Sequence, residues 1–298
     1  VIEVNPVLWQ LILNLIILNV RPQIAGKAYR EIWDMETNES PLRRYTREQS
    51  EGLGARLMAA GRDLDVDWAM RYGNPSIAEK LEAMRARGCR KILLLALYPQ
   101  YSSATTGTAY DKAFAALAKM RWQPAIRTAP AYPDAPAYIE ALAKSVRAHL
   151  DGLDWEPDVL LASFHGLPKR YFDAGDPYYC HCAQTTRLLR EALGWPEGRI
   201  QLAFQSRFGR EEWLQPYMQQ VVAALPGQGS RRVAVISPGF ASDCVETLEE
   251  VAIGLRDIFL DAGGENFTYI PCLNASEDGI AVLEAVATRE LSGWLATA

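Results

Sequence analysis

Apolar and polar positions follow one another along this chain in blocks that fit short strands separated by amphipathic helices. Apolar runs bounded by turn residues predict strands at Asp65–Met70, Lys91–Leu97, Ala125–Pro130, Asp158–Phe164, Ile200–Gln205, Arg232–Ser237 and Phe267–Pro271. Between them, apolar residues at helical spacing predict helices at Ile77–Arg87, Tyr110–Met120, Ala135–Leu150, Cys182–Leu193, Glu211–Leu225 and Val245–Ala262. Runs such as Val159-Leu160-Leu161-Ala162 lack a polar alternate, as expected of parallel strands covered on both faces. Strand and helix in alternation make an α/β protein with doubly wound parallel sheets. Gly152, Trp155 and Pro157 punctuate the chain midway, so the expected units are residues 1–151 and 152–298, repeating a rhythm without repeating a sequence.

A length of 298 residues suffices for two cores. A net charge of −5 gives no reason to expect a nucleic-acid partner. Five cysteines, an odd number in so long a chain, fit a reducing, cytoplasmic compartment better than a disulfide framework. The chain opens on Val1 rather than Met, so a cut or unrecorded start is expected. The apolar run Val7–Leu18, broken by Gln10 and Asn14, is shorter than the roughly 20 residues a spanning helix needs. It is either a buried helix or an apolar lip for a membrane or a greasy ligand, and Trp9 suits both.

Ligands of doubly wound sheets sit beyond the carboxyl ends of the strands, and the chain's polar clusters fall there. His165 ends a strand in Ser163-Phe164-His165-Gly166-Leu167-Pro168, where a neutral imidazole would accept a proton or bind a metal. Glu246 and Glu250, four apart in the stretch after Ser237, can share a helix face. Either both enter a cleft as ligands for a transient divalent ion, or Asp243 and Glu246 form a capping box. The hydroxyl-rich loop Tyr98–Thr108 either binds an anion or caps a helix, and Arg71 and Tyr72 add a cation and an aromatic face to the same rim.

Taken in order, Tyr98–Gly107, Ser163–Pro168 with Gly175-Asp176-Pro177-Tyr178, Phe204-Gln205-Ser206-Arg207 through Trp213, and Asp243–Glu250 resemble the ferrochelatases of bacteria. The resemblance implies two Rossmann-like domains with a porphyrin cleft between them, and insertion of Fe²⁺ as substrate metal into protoporphyrin IX, giving protoheme with release of two protons. It implies catalytic roles for His165 and Glu246, metal contacts for His165, Glu246 and Glu250, and a porphyrin pocket bordered by Arg71, Tyr72, Tyr101 and Trp213. It also implies a strand ahead of Val1. Ser102-Ser103 stands where animal members carry a cluster cysteine; Cys180, Cys182 and Cys272 either converge with a fourth ligand on a [2Fe-2S] cluster, as the resemblance to members with internal cluster cysteines implies, or stay unliganded. Cys244 stands where animal members have histidine. Coproporphyrin III as substrate, cobalt as metal, a porphyrin or metal carrier without turnover, and a flavodoxin-like module are the alternatives. Peripheral membrane contact would suit delivery of a poorly soluble porphyrin.

Overall fold

The computed structural model describes residues 26–62 and 64–295, so the Val7–Leu18 run lies outside the described residues. Among the described residues, six strands form two parallel sheets. β1 (Lys91–Leu94) pairs with β2 (Ala125–Thr128). The second sheet has the order β4-β3-β5-β6, with β3 at Val159–His165, β4 at Ile200–Gln205, β5 at Arg232–Ile236 and β6 at Asn266–Ile270.

The central position of β3 explains its unbroken apolar sequence. Leu160, Ala162 and Phe164 face a core built with Ile139, Leu142 and Val146 of α4 (Pro136–Asp151) and Leu189 of α6 (Tyr178–Leu193). Val159 and Leu161 face the opposite core, with Met218 and Val222 of α7 (Met218–Ala224) and with Val251, Leu255 and Phe259. The period of two is present, with both faces covered. β1 packs under Leu81 of α2 (Ile77–Ala86) and Ala113 and Leu117 of α3 (Thr108–Leu117).

Packing crosses the Gly152 punctuation in both directions along the chain. α4 shares a core with β3 although it precedes the Gly152 punctuation. α9 (Glu277–Glu290) lies along α1 (Pro41–Ala59), with Leu283 between Leu53 and Leu57, and Arg56 pairs with Glu284. Beyond α9, the Arg127 guanidinium stacks 4.4 Å from the Trp294 ring.

Several predicted elements differ from the structure. Residues 65–70 join no ladder, forming only an isolated bridge from Met70 to Ser76. Val66 and Trp68 instead line an apolar cavity of about 520 Å³ shared with Leu93, Leu95 and Leu97, and apolar periodicity alone does not supply a partner strand. The helix predicted over Glu211–Leu225 begins only at Met218, because Pro216 lacks an N–H. Residues before it bridge to neighbouring loops, Trp213 to Pro168 and Tyr217 to Phe204. No helix among the described residues is long and apolar enough to cross a membrane.

Candidate active site

Parallel pairing brings the ends of β3, β4, β5 and β6 to one edge, and the polar residues that follow them gather there. His165 is the last residue of β3, in register with Gln205, the last of β4. Its Nδ1 stands 2.6 Å from the carbonyl oxygen of Gly166. A carbonyl can only accept, so Nδ1 carries the proton in the neutral ring, and Nε2 is left with its lone pair for a proton or a metal. The loop after His165 is fastened to the segment carrying Trp213 by the Leu214 N–H to the Leu167 carbonyl, 2.8 Å, and the Lys169 N–H to the Glu212 carbonyl, 2.9 Å. This approach requires glycine at 166, where a Cβ would stand 2.8 Å from the Gln205 carbonyl and 3.1 Å from the Trp213 ring.

The acids lie on α8, whose α-helical first turn Val245–Thr247 passes into π-helix over Leu248–Leu255 and returns to α-helix at Arg256–Asp261. Its cap falls one residue later than the sequence pattern suggests. Cys244 is the N-cap and its N–H donates to Thr247 Oγ1 at 2.9 Å, so Glu246 is not part of a capping box. Asp243 is buried and acts as an anchor, accepting from Tyr269 Oη (2.7 Å), Thr247 Oγ1 (2.9 Å) and Asn274 Nδ2 (2.7 Å). Glu246 is thereby left half-buried at the strand edge, its carboxylate beside the Cys244 thiol.

Gln205 joins the histidine wall to the acidic wall. Its Oε1 accepts from Ser163 Oγ of β3, and its Nε2 donates to the Glu246 carbonyl at 2.6 Å and to Glu250 Oε2 at 3.2 Å. Ser206, held at φ +63°, donates its hydroxyl to the same Glu250 oxygen. A non-glycine residue in the left-handed region is uncommon, and here it aims a hydroxyl at an acid of the site. Glu249, on the same π-helical stretch, has its carboxyl raised by burial and then by the charges of Glu250 and Glu31.

On the opposite rim, Arg71 donates from Nε to Thr108 Oγ1 at 3.2 Å and stacks 4.4 Å from the Tyr72 ring, which is well exposed. Tyr98 bridges this rim to the acids: burial, then Tyr72, Cys244 and Glu246 raise its phenol, while Arg71 works the other way. Tyr29 approaches the acids too, its phenol raised by burial and then by Glu246 and Cys244. The Tyr98–Thr108 loop serves mainly as a joint. Asp176 Oδ2 accepts from Ser102 Oγ, Ser103 N and Ser103 Oγ at 2.7–3.0 Å, and the Tyr101 N–H donates to His181 Nδ1 at 3.2 Å. Those hydroxyls are therefore engaged by an acid rather than open to an anion. Trp213 is buried against Phe208, ring centroids 4.9 Å apart, and its indole N–H has no partner.

Motif reading found His165, Glu246, Glu250, Arg71, Tyr72, Tyr101 and Trp213. It passed over Gln205 and Ser206 as participants, although both stand in a quoted motif at a strand end. Tyr29 sits in no motif, and only tertiary proximity brings it to Glu246. Among the described residues, no group of three or more His, Cys, Asp or Glu side chains could hold a metal ion. His165, Glu246 and Glu250 thus do not close a coordination sphere among themselves.

Among the described residues, Cys180, Cys182 and Cys272 do not gather into a group that could hold a metal ion. Cys180 and Cys182 lie two apart on α6 and point to different surroundings, Cys180 exposed and Cys182 buried. Cys272 is buried after β6, its sulfur 3.4 Å from Tyr269 Oη. Burial pushes the thiols of Cys182 and Cys272 up.

Comparison with known proteins bears on the whole chain. The sequence profile described as Ferrochelatase matches residues 1–291. The chain is 58% identical over 295 residues to a ferrochelatase of Rhizobium meliloti strain 1021, covering 99% of this chain and 87% of that protein. It is 59% identical to one from Agrobacterium fabrum strain C58, at 99% and 86% coverage. Among solved structures, SirB from Bacillus subtilis with Fe³⁺ superposes with a TM-score of 0.58 at 13% identity, over 86% of this chain and 94% of that one. The sirohydrochlorin chelatase SirB from Bacillus subtilis subspecies spizizenii in complex with cobalt gives 0.55 at 12%, over 85% and 92%. At such identities the likeness is one of fold.

Proposed function

The chain belongs to the ferrochelatase family, lyases that insert iron into protoporphyrin, and from that premise we propose how its own residues divide the work. Porphyrin with two pyrrole N–H groups and Fe²⁺ go in; metalloporphyrin and two protons come out. His165 Nε2 takes a pyrrole proton, because the Gly166 carbonyl fixes the tautomer that leaves this nitrogen basic. Glu246 works from the other side of the ring, and Glu250, held by Gln205 and Ser206, stands next along the π-helical stretch as a relay for the ion or the second proton. The missing closed coordination sphere suits the task. Hard carboxylate and imidazole donors taken one after another hold a divalent ion weakly enough to give it up to four pyrrole nitrogens.

Arg71, Tyr72, Tyr101 and Trp213 border the porphyrin. The guanidinium suits a propionate, and the rings suit a flat macrocycle. The reading assigns no iron–sulfur cluster to these thiols. It places the enzyme in the cytoplasm, where five unpaired cysteines stay reduced, with peripheral membrane contact for porphyrin delivery.

The observation that carries the assignment is the free Nε2 of His165 at the same strand edge as Glu246 and Glu250. Anaerobic Fe²⁺ insertion into protoporphyrin IX and coproporphyrin III, measured side by side, tests it. Protoporphyrin is expected to be the faster substrate, and His165→Ala and Glu246→Gln are each expected to abolish insertion while retaining porphyrin binding by fluorescence quenching. Near wild-type rates in either variant would sink the assignment.

A further inference from the structure

Gln49 is buried on α1, remote in sequence from every residue of the site, and its whole side chain is spent on the second half of the chain. Its Nε2 donates to the Ala241 carbonyl at 3.0 Å and to the Asn274 carbonyl at 2.9 Å, and its Oε1 accepts from Ser242 Oγ at 3.1 Å. Those partners belong to two loops beyond β5 and β6. Asn274 locks the loops together in an unusual conformation, φ +50°. Its N–H donates to the Ala241 carbonyl, its Oδ1 accepts from the Asp243 N–H at 2.7 Å, and its Nδ2 donates to Asp243 Oδ2 at 2.7 Å. Asp243 in turn accepts from the hydroxyl of Thr247, which itself accepts from the N–H of Cys244, the N-cap of α8. An unbroken chain of hydrogen bonds thus runs from a helix of the first half to the turn that carries Glu246.

We propose that Gln49 is a positioning residue for Glu246, with Asn274 and Asp243 as the links between them. This rests on the role given to Glu246 above. The loops are irregular backbone, so their placement depends on a few directed bonds rather than on a ladder. Without the Gln49 amide, the Ala241 carbonyl loses one of its donors and that of Asn274 loses its donor. Buried polar groups so exposed draw the loop toward water, and the helix start moves with it. Small displacements of a reacting group are costly in rate even when substrate still binds.

Steady-state anaerobic iron insertion across a pH range separates this from a packing role. Gln49→Met keeps the volume and removes all three bonds. The expected result is a fall in kcat of about tenfold, a KM for porphyrin within about twofold of wild type, and a displaced acid limb of the kcat–pH profile. Ser242→Ala removes only the bond to Oε1 and serves if Gln49→Met does not fold; its kcat is expected to fall about two- to threefold at unchanged KM. An unchanged kcat and pH profile in whichever of these variants folds overturns the proposal. So does a loss of rate that follows the folded fraction measured by circular dichroism. Glu246→Gln is run beside them. If it retains wild-type rates, the role of Glu246 falls; if it is inactive while Gln49→Met is normal, only the link to Gln49 falls.

Discussion

At His165 one backbone carbonyl decides which ring nitrogen can react, and that carbonyl is available because residue 166 bends back on the strand end. Gly166→Ala tests how tightly this corner is built. A methyl group would press on the Gln205 carbonyl and the Trp213 ring, two parts that do not give easily. The variant is expected to lose roughly 1–3 kcal/mol of stability, read as the shift in the urea unfolding midpoint, together with most of its insertion activity. Thiol chemistry gives a second residue-scale outcome. Cys180 is exposed and reacts first with an aromatic disulfide reagent. Cys89, half-buried with its thiol raised by burial and by Asp65, follows slowly. Cys182, Cys244 and Cys272 stay silent until the protein unfolds, so thiol counting before and after denaturant checks the order.

Among the elements, α8 departs from expectation in its winding. Its apolar spacing predicts an unbroken α-helix over Val245–Ala262, and the structure gives π-helix at its centre, which widens the turn between Glu246 and Glu250. Periodicity does not register this, because a local change of winding leaves the apolar face nearly intact. Gly254 lies in that stretch, with room for a Cβ at an ordinary 3.4 Å from the Glu249 carbonyl. Gly254→Ala is therefore expected to raise stability by roughly 0.5–1 kcal/mol in urea denaturation, by restricting the unfolded chain and favouring helix. The same limit of periodicity explains residues 65–70, apolar on alternate positions, yet a strand only if another backbone pairs with them. It explains Glu211–Leu225 as well, where an apolar pattern continues through Pro216 although a helix cannot use that residue as a donor.

For the molecule as a whole, burial of acids that ionise above neutrality sets a pH dependence. Tyr138, Tyr178 and Tyr269 and the thiols of Cys182, Cys244 and Cys272 are all raised by burial well above their ordinary values. The folded state holds these protons more tightly than the unfolded chain, whose thiols ionise near about 8.5 and phenols near about 10. Their contribution is complete below the thiol value and declines as pH rises through both. The urea midpoint is expected to be flat from pH 7 to about 8 and to fall steadily toward pH 10.5. A midpoint that holds steady across that range would contradict the burial argument.

How much could be read without coordinates follows from range. Strand positions, their buried character, His165 at a strand end and the acids after Ser237 depend on neighbours in sequence, and apolar period and turn residues record neighbours directly. Family likeness, spread over four separated motifs, supplied the chemistry that no single motif could. Only tertiary structure decided that Cys244 rather than Asp243 caps α8, that Asp176 occupies the Ser102-Ser103 hydroxyls, and that α9 returns to α1. It also decided that Gln205 ties the two walls of the site and that Gln49 reaches across to the loops behind Glu246. These are contacts between residues far apart in the chain, made by polar side chains whose partners leave no period in the sequence. Apolar burial is patterned because every residue of a face feels it; a directed hydrogen bond belongs to one pair, and the fold alone brings that pair together.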